Sequence, residues 1–182
     1  MGSWCNRVKF NVGGKAAWVS CPVLRESGIQ LVDNVKIDEK RPWRDDIRKL
    51  LKMNYREARN FQSATRLMDR LLDFESDRLA DFNINAIQAI AKYLGCETQF
   101  IRQSALPKMK ETSTERLAAL SKAVGADAYL CGGGSSSYQD DAAFAKAGLK
   151  LIYQEFTAIP YGKPDCFIPG LSAIDWLMHE GR

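Results

Sequence analysis

Ser172, Asp175 and His179 follow one another at spacings of three and four, which lays them along one face of a helix. A hydroxyl, a carboxylate and an imidazole in that arrangement suit acyl transfer, with Ser172 as nucleophile and Asp175 or His179 handling a proton. The same spacing has a purely structural reading. Ser172 is a natural helix N-cap, and Asp175 falls three positions later, where the helix dipole favours a carboxylate. Capping accounts for Ser172 completely. Asp175 and His179 can cap and also face a cleft.

A second candidate is the stretch YLCGGGSSSYQDD, residues 129–141. Gly132, Gly133 and Gly134 permit close backbone approach to a ligand, and Ser135, Ser136 and Ser137 offer hydroxyls. A Gly-Ser loop between a strand and a helix is where open α/β sheets hold anions. Neither GxxxxGK[ST] nor GxGxxG is present, however. Asp140 and Asp141 also occupy the helix start that a phosphate would need. Spacing alone therefore favours a turn with acidic capping over a phosphate cradle.

Near the other end, Asn6, Arg7 and Lys9 bring an amide and two cations to a strand, with Arg7 and Lys9 on one face. They suit an anion contact, and equally a solvated hairpin face. Tyr161 and Lys163 lie in a long Pro/Gly-rich loop, a usual place for functional side chains. Cys131, beside glycine amides, is the best placed thiol for nucleophilic chemistry, but no histidine is near it in sequence.

These residues need elements to position them. Residues 6–10 and 16–23 read as strands joined by a Gly-Gly turn, with Pro22 ending the second. A short strand is expected over 31–37. Three helices follow, over 42–59, 64–74 and 77–94, the last stopped by Gly95. Then the pattern alternates: strand 98–104, helix from the Thr112/Glu115 capping box to Gly125, strand 128–131, helix 140–147, strand 149–153. That order predicts an α/β fold with a parallel-sheet core and crossover helices, an N-terminal β-hairpin and a helical insertion over about 42–95. A last helix spans 172–180. The 182 residues suit one domain.

Composition excludes several classes. No apolar run reaches the roughly 18 residues of a membrane span, and the start lacks a signal-peptide pattern, so the cytoplasm is the expected compartment. The net charge is +4, and between Lys36 and Arg70 there are 11 Lys or Arg against 6 Asp or Glu. A solvated helix face laced with ion pairs explains that excess better than a nucleic acid partner. The five cysteines form no CxxC pair, and the chain has one histidine, so neither a metal site nor a disulfide framework is expected and the thiols are assigned to the core. No cofactor is implied.

The order and spacing of several pieces resemble one family across residues 4–181. They are NRVKF with WVSCPV, Trp43 followed by Tyr55, Ala58 and Phe61, LADFN leading to LGCETQFIRQS, GADAYLCGGGSSSY, the F-x-x-A-G of Phe144–Gly148, and YGKPDCFIPGLSAIDWLMHEG. Together they resemble the WbqC-like proteins, a family linked to bacterial surface polysaccharide clusters, including those for O-antigen and hence lipopolysaccharide. The resemblance implies a sugar-modifying transferase moving an acyl or aminoacyl group, possibly glycyl, with a nucleotide-linked sugar as the small-molecule substrate. It shifts the Gly132–Tyr138 loop toward ligand binding, because that loop and its tyrosine recur in the family. Matched residue by residue, Asn6, Arg7 and Lys9 become anion contacts, and Gly132, Gly133, Gly134, Ser135 and Tyr138 substrate contacts. Tyr161 lies with them and Asp175 is a polar group near the site. Some positions depart from the family. An upstream segment resembling HQPxYxPWxGYF does not precede the hairpin, Ile47 and Lys163 replace a histidine and a glutamine, and His179 replaces an asparagine. The competing expectation is thus a catalytically incomplete sugar-nucleotide-binding or assembly protein. Cys21 and Cys96 stand where the family is aliphatic, which assigns both to the core.

Overall fold

The computed structural model describes residues 4–28, 30–132 and 140–182. The chain divides into two compact units, one of Met1–Thr98 with Ile159–Arg182, the other of Gln99–Ala158.

The larger unit begins with the hairpin. Strand β1 (Arg7–Val12) pairs antiparallel with β2 (Lys15–Ser20), from Val12↔Lys15 beside the turn to Arg7↔Ser20. Gly13 and Gly14 carry φ of 58° and 81°. A two-residue hairpin loop with both φ positive matches the right-handed twist of its strands, and glycine takes it without strain. Phe10 points inward and is buried.

Three helices follow close to their expected places: α1 (Trp43–Tyr55), α2 (Phe61–Leu72) and α3 (Leu79–Tyr93). Their apolar stripes meet the hairpin and α6 (Ala173–His179) in one core that includes Phe10, Trp43, Leu51, Leu67, Leu79 and Leu177. The end of α6 docks on the α1–α2 junction. Asn60 donates from its backbone amide to the Met178 carbonyl at 2.9 Å and from Nδ2 to the His179 carbonyl at 2.8 Å. Residues 31–37 do not form the expected strand. They hold a 3-10 turn at Val32–Asn34 and two isolated bridges, Val23↔Ile37 and Lys36↔Arg78.

The smaller unit contains α4 (Ser113–Ala123), β3 (Ala128–Gly132), α5 (Asp141–Lys146) and β4 (Lys150–Gln154). Strands β3 and β4 pair in parallel, Ala128↔Lys150 through Gly132↔Gln154. Ala118, Phe144 and Leu149 form its buried core, with the Tyr129 ring stacked on Phe144 at 5.0 Å.

The chain is thus mixed α/β, with six α-helices and the expected N-terminal hairpin among the described residues. The parallel sheet there has two strands rather than three. The expected strand at 98–104 is irregular and ends in a 3-10 turn at Gln103–Ala105. Its two large apolar side chains, Phe100 and Ile101, are adjacent, so a strand would send them to opposite faces, and both are exposed. The Thr112 side chain does cap no amide, although the helix begins where the capping box put it.

Three thiols hold to the core assignment: Cys131 is buried, and the half-buried Cys5 and Cys21 pack against the larger core. Cys96 and Cys166 depart from it and are exposed. Part of the local positive charge is held in ion pairs: Arg48 meets Asp45, Asp69 and Asp73, and Arg44 meets Glu39. No helix among the described residues is long and apolar enough to cross a membrane.

Candidate functional site

Ser172 takes the structural role. Its Oγ accepts from the Ile174 amide at 3.3 Å and caps α6, while its own amide donates to the Lys9 carbonyl at 2.8 Å. Helix α6 is thereby fastened to the edge of β1, and the cap turns Asp175 inward.

Asp175 is 2% exposed. A carboxylate withdrawn from water requires partners, and both its oxygens have one. The Tyr55 hydroxyl donates to Oδ1 at 2.5 Å, and the Tyr161 hydroxyl donates to Oδ2 at 2.7 Å. Tyr55 in turn accepts from the Asn11 amide at 2.8 Å. One buried carboxylate therefore joins β1, α1, α6 and the terminal loop.

The two phenols differ. Tyr55 is 3% exposed and its oxygen both donates and accepts. Tyr161 is half-buried, and among the described residues its hydroxyl donates to Asp175 and accepts no hydrogen bond. His179 lies beside both rings, with centroid distances of 6.1 Å to Tyr55 and 6.1 Å to Tyr161. The Gly162 amide donates to Glu180 Oε1 at 2.9 Å, which holds the loop against the end of α6.

Burial, and then the hydrogen bond to Asp175, push both phenols well above the usual tyrosine range. The consequence for stability has a definite sign. In the unfolded chain both ionise near pH ~10, whereas the folded chain keeps both protons. The folded state then binds more protons, so this contribution is complete below about pH 10 and is lost as pH rises beyond it. Urea unfolding across that range should show stability falling with pH, and a flatter fall in Tyr55→Phe.

The remaining predicted residues lie elsewhere. Asn6 is buried and its Nδ2 donates to the Cys21 carbonyl at 2.9 Å, which spends it on the hairpin. Arg7 and Lys9 share a face, as the period of two required, and both cover the exposed Trp18 ring: Arg7 Cζ is 4.1 Å and Lys9 Nζ 5.0 Å from its centroid. Gly132 is exposed at the end of β3 in the smaller unit. Gly133, Gly134, Ser135 and Tyr138 lie outside the described residues. Asp140 caps α5, accepting from the Ala142 and Ala143 amides at 3.0 and 3.3 Å, as the acidic-capping reading required. Among the described residues no group of His, Cys, Asp and Glu is arranged to hold a metal ion.

The structure brings Asp175, His179 and Tyr161 together, as three of the residues singled out in the sequence, and adds Tyr55 and the Asn11 amide, which the sequence reading did not assign to a site. Tyr55 stood out as a member of the 42–59 helix and as a family-matched position, with no role given to its hydroxyl. The available signal was its hydroxyl: a tyrosine on a buried stripe needs a polar partner for its tip.

A cleft of about 340 Å³ opens in the same unit. Its walls are mostly aliphatic, from Val8, Phe10 and Val19 of the hairpin to Ala86, Ile87 and Ile90 of α3. Cys21 also lines it, and burial pushes that thiol up to about 12, so it stays protonated and is a poor nucleophile.

A family model described as the WbqC-like protein family matches residues 1–182. No curated protein and no solved structure shows significant similarity to the chain.

Proposed function

The chain belongs to the WbqC-like protein family, and from that membership and the buried carboxylate we propose that it moves a small acyl or aminoacyl group onto a sugar in bacterial surface polysaccharide biosynthesis. The observation that carries this reading is the difference between the two phenols on Asp175. Tyr55 is closed, whereas the Tyr161 oxygen keeps a lone pair for a substrate. Asp175 is too buried to meet a substrate itself, so it acts through Tyr161.

In that reading an amine or hydroxyl of the acceptor donates a hydrogen bond to Tyr161 Oη. The lone pair of that acceptor nitrogen or oxygen forms a bond to the carbonyl carbon of an activated acyl donor. The acceptor's proton passes to Tyr161 as the Tyr161 proton passes to Asp175. The tetrahedral intermediate then collapses, and the leaving group departs with the electron pair of the broken acyl bond. No protein nucleophile is needed, in keeping with the capping role of Ser172. Arg7 and Lys9 hold an anionic part of the substrate on the Trp18 face.

A second reading is a sugar-nucleotide-binding or assembly protein without catalysis, favoured by the occupancy of both Asp175 oxygens. Thermal melts against UDP-, GDP- and dTDP-linked sugars test both. One sugar should raise the transition selectively; at a hundredfold excess over Kd it adds about 2.7 kcal/mol. A cooperative melt indifferent to every sugar overturns transfer and sugar-nucleotide binding alike and leaves the assembly role. Where one sugar binds, its mass after incubation with acyl and aminoacyl donors separates them: a gain supports transfer, and an unchanged mass selects binding alone.

A further inference from the structure

We propose that the outer edge of β1 is a recognition site for an extended acidic–apolar–acidic peptide segment. The segment pairs parallel to β1 through the Arg7 carbonyl and the Lys9 amide, and sets its apolar side chain in the adjoining cleft.

The hydrogen-bond alternation of the hairpin leads to this edge. Val12 and Lys15 flank a two-residue turn and so form a hydrogen-bonded pair, and the alternation continues to Asn6, whose carbonyl accepts from the Cys21 amide at 2.8 Å. The even-numbered residues of β1 therefore bond to β2, and Arg7, Lys9 and Asn11 turn their backbone groups to the other edge. Two of those groups are satisfied within the unit. The Asn11 amide donates to Tyr55, and the Lys9 carbonyl accepts from Ser172. The Arg7 carbonyl and the Lys9 amide, which straddle Val8, meet no partner among the described residues.

That pair fixes direction and register. An antiparallel guest needs both groups of a single residue. At Lys9 the carbonyl is taken, and the Arg7 amide directly follows the 3-10 turn Trp4–Asn6, whose i to i+3 pattern uses it. A parallel guest needs the carbonyl of one residue and the amide two residues on, the two groups left here. One guest residue donates its N–H to the Arg7 carbonyl and accepts from the Lys9 amide, opposite Val8.

Side-chain chemistry follows from the period of two. The central guest residue falls on the face of Val8, toward the aliphatic cleft, where Val8 and Ile87 are 45% and 55% exposed. The cleft volume of about 340 Å³ accepts a large aliphatic or aromatic side chain. The guest's flanking residues fall on the opposite face, that of Arg7, Lys9 and Trp18. There Arg7 Nε is shielded from solvent and meets no hydrogen-bond acceptor among the described residues. Carboxylates before and after the apolar residue complement both cations.

The probe is fluorescein-labelled Ser-Glu-Leu-Glu-Ser, amidated, titrated into the whole chain without any sugar, so that its failure leaves the transferase reading standing. Anisotropy should saturate, and in amide NMR the Lys9 resonance should move while that of Asn11 stays. Methylating the Leu nitrogen removes the donor to Arg7 and should weaken binding about tenfold, the worth of one hydrogen bond. Exchanging both Glu for Lys should abolish binding. Equal binding by the methylated or the Lys peptide, or a stationary Lys9 amide, overturns the proposal. So does a chain that self-associates with Lys9 already protected, which assigns the edge to a second copy. Saturable binding of decanoate without binding of the peptide also overturns it and makes the cleft an amphiphile pocket.

Discussion

Asp175→Ala should destabilise the larger unit by about 3–5 kcal/mol, because it strips the acceptor from two phenols at once. Tyr55 suffers most. Its hydroxyl is buried, it points at Asp175 Oδ1, and the Asn11 amide already occupies its acceptor side. Water has no ready access to replace the carboxylate, so the donor is left unsatisfied, at about 1–3 kcal/mol. Tyr161 is half-buried and can turn its proton toward solvent, which makes its loss smaller. Asp175→Asn should cost less than the alanine, since its oxygen serves Tyr55 and its amide can donate to the Tyr161 oxygen. Urea unfolding of the three proteins gives the order. A double-mutant cycle with Tyr55→Phe isolates the pair: removing both partners should cost less than the sum of the single changes, by about 1–3 kcal/mol. Additive losses would mean that the short contact contributes nothing beyond packing.

How much of this was legible in the sequence depends on the range of the interaction. The Gly13–Gly14 turn, the apolar stripes of α1 to α3 and the Ser172 cap are written in residues a few positions apart, and the structure holds each of them. The edge of β1 follows from the turn alone, because a two-residue loop fixes which backbone groups face outward. The Tyr55–Asp175 bond spans 120 positions and has no local signature. Only the packing of α6 between the hairpin and α1 creates it. The strand expected at 98–104 failed for the converse reason: β-prone residues lacked the alternation that would bury one face, and no local propensity supplies a partner strand. Cys96 shows the limit of matching positions, since a thiol standing where aliphatic residues are expected lies exposed just after Gly95.

Tyr161→Phe and Tyr55→Phe should separate chemistry from architecture. Both remove one hydroxyl from the same carboxylate, and both leave the ring in place. Tyr55→Phe also deprives the half-buried Asn11 amide of its acceptor, so it should cost about 2–3 kcal/mol of stability. Any enzyme that remains folded should keep its kcat, since Tyr161 still links Asp175 to the acceptor. Tyr161→Phe leaves no amide orphaned and should cost about 1 kcal/mol, yet it breaks the only proposed route for the acceptor's proton. Its kcat for transfer should fall by roughly 10²–10⁴, the usual worth of a positioned proton acceptor, with KM for the sugar little changed. If Tyr161→Phe transfers as fast as the parent, the proton leaves by another route, and His179, beside the same ring, becomes the group to replace next.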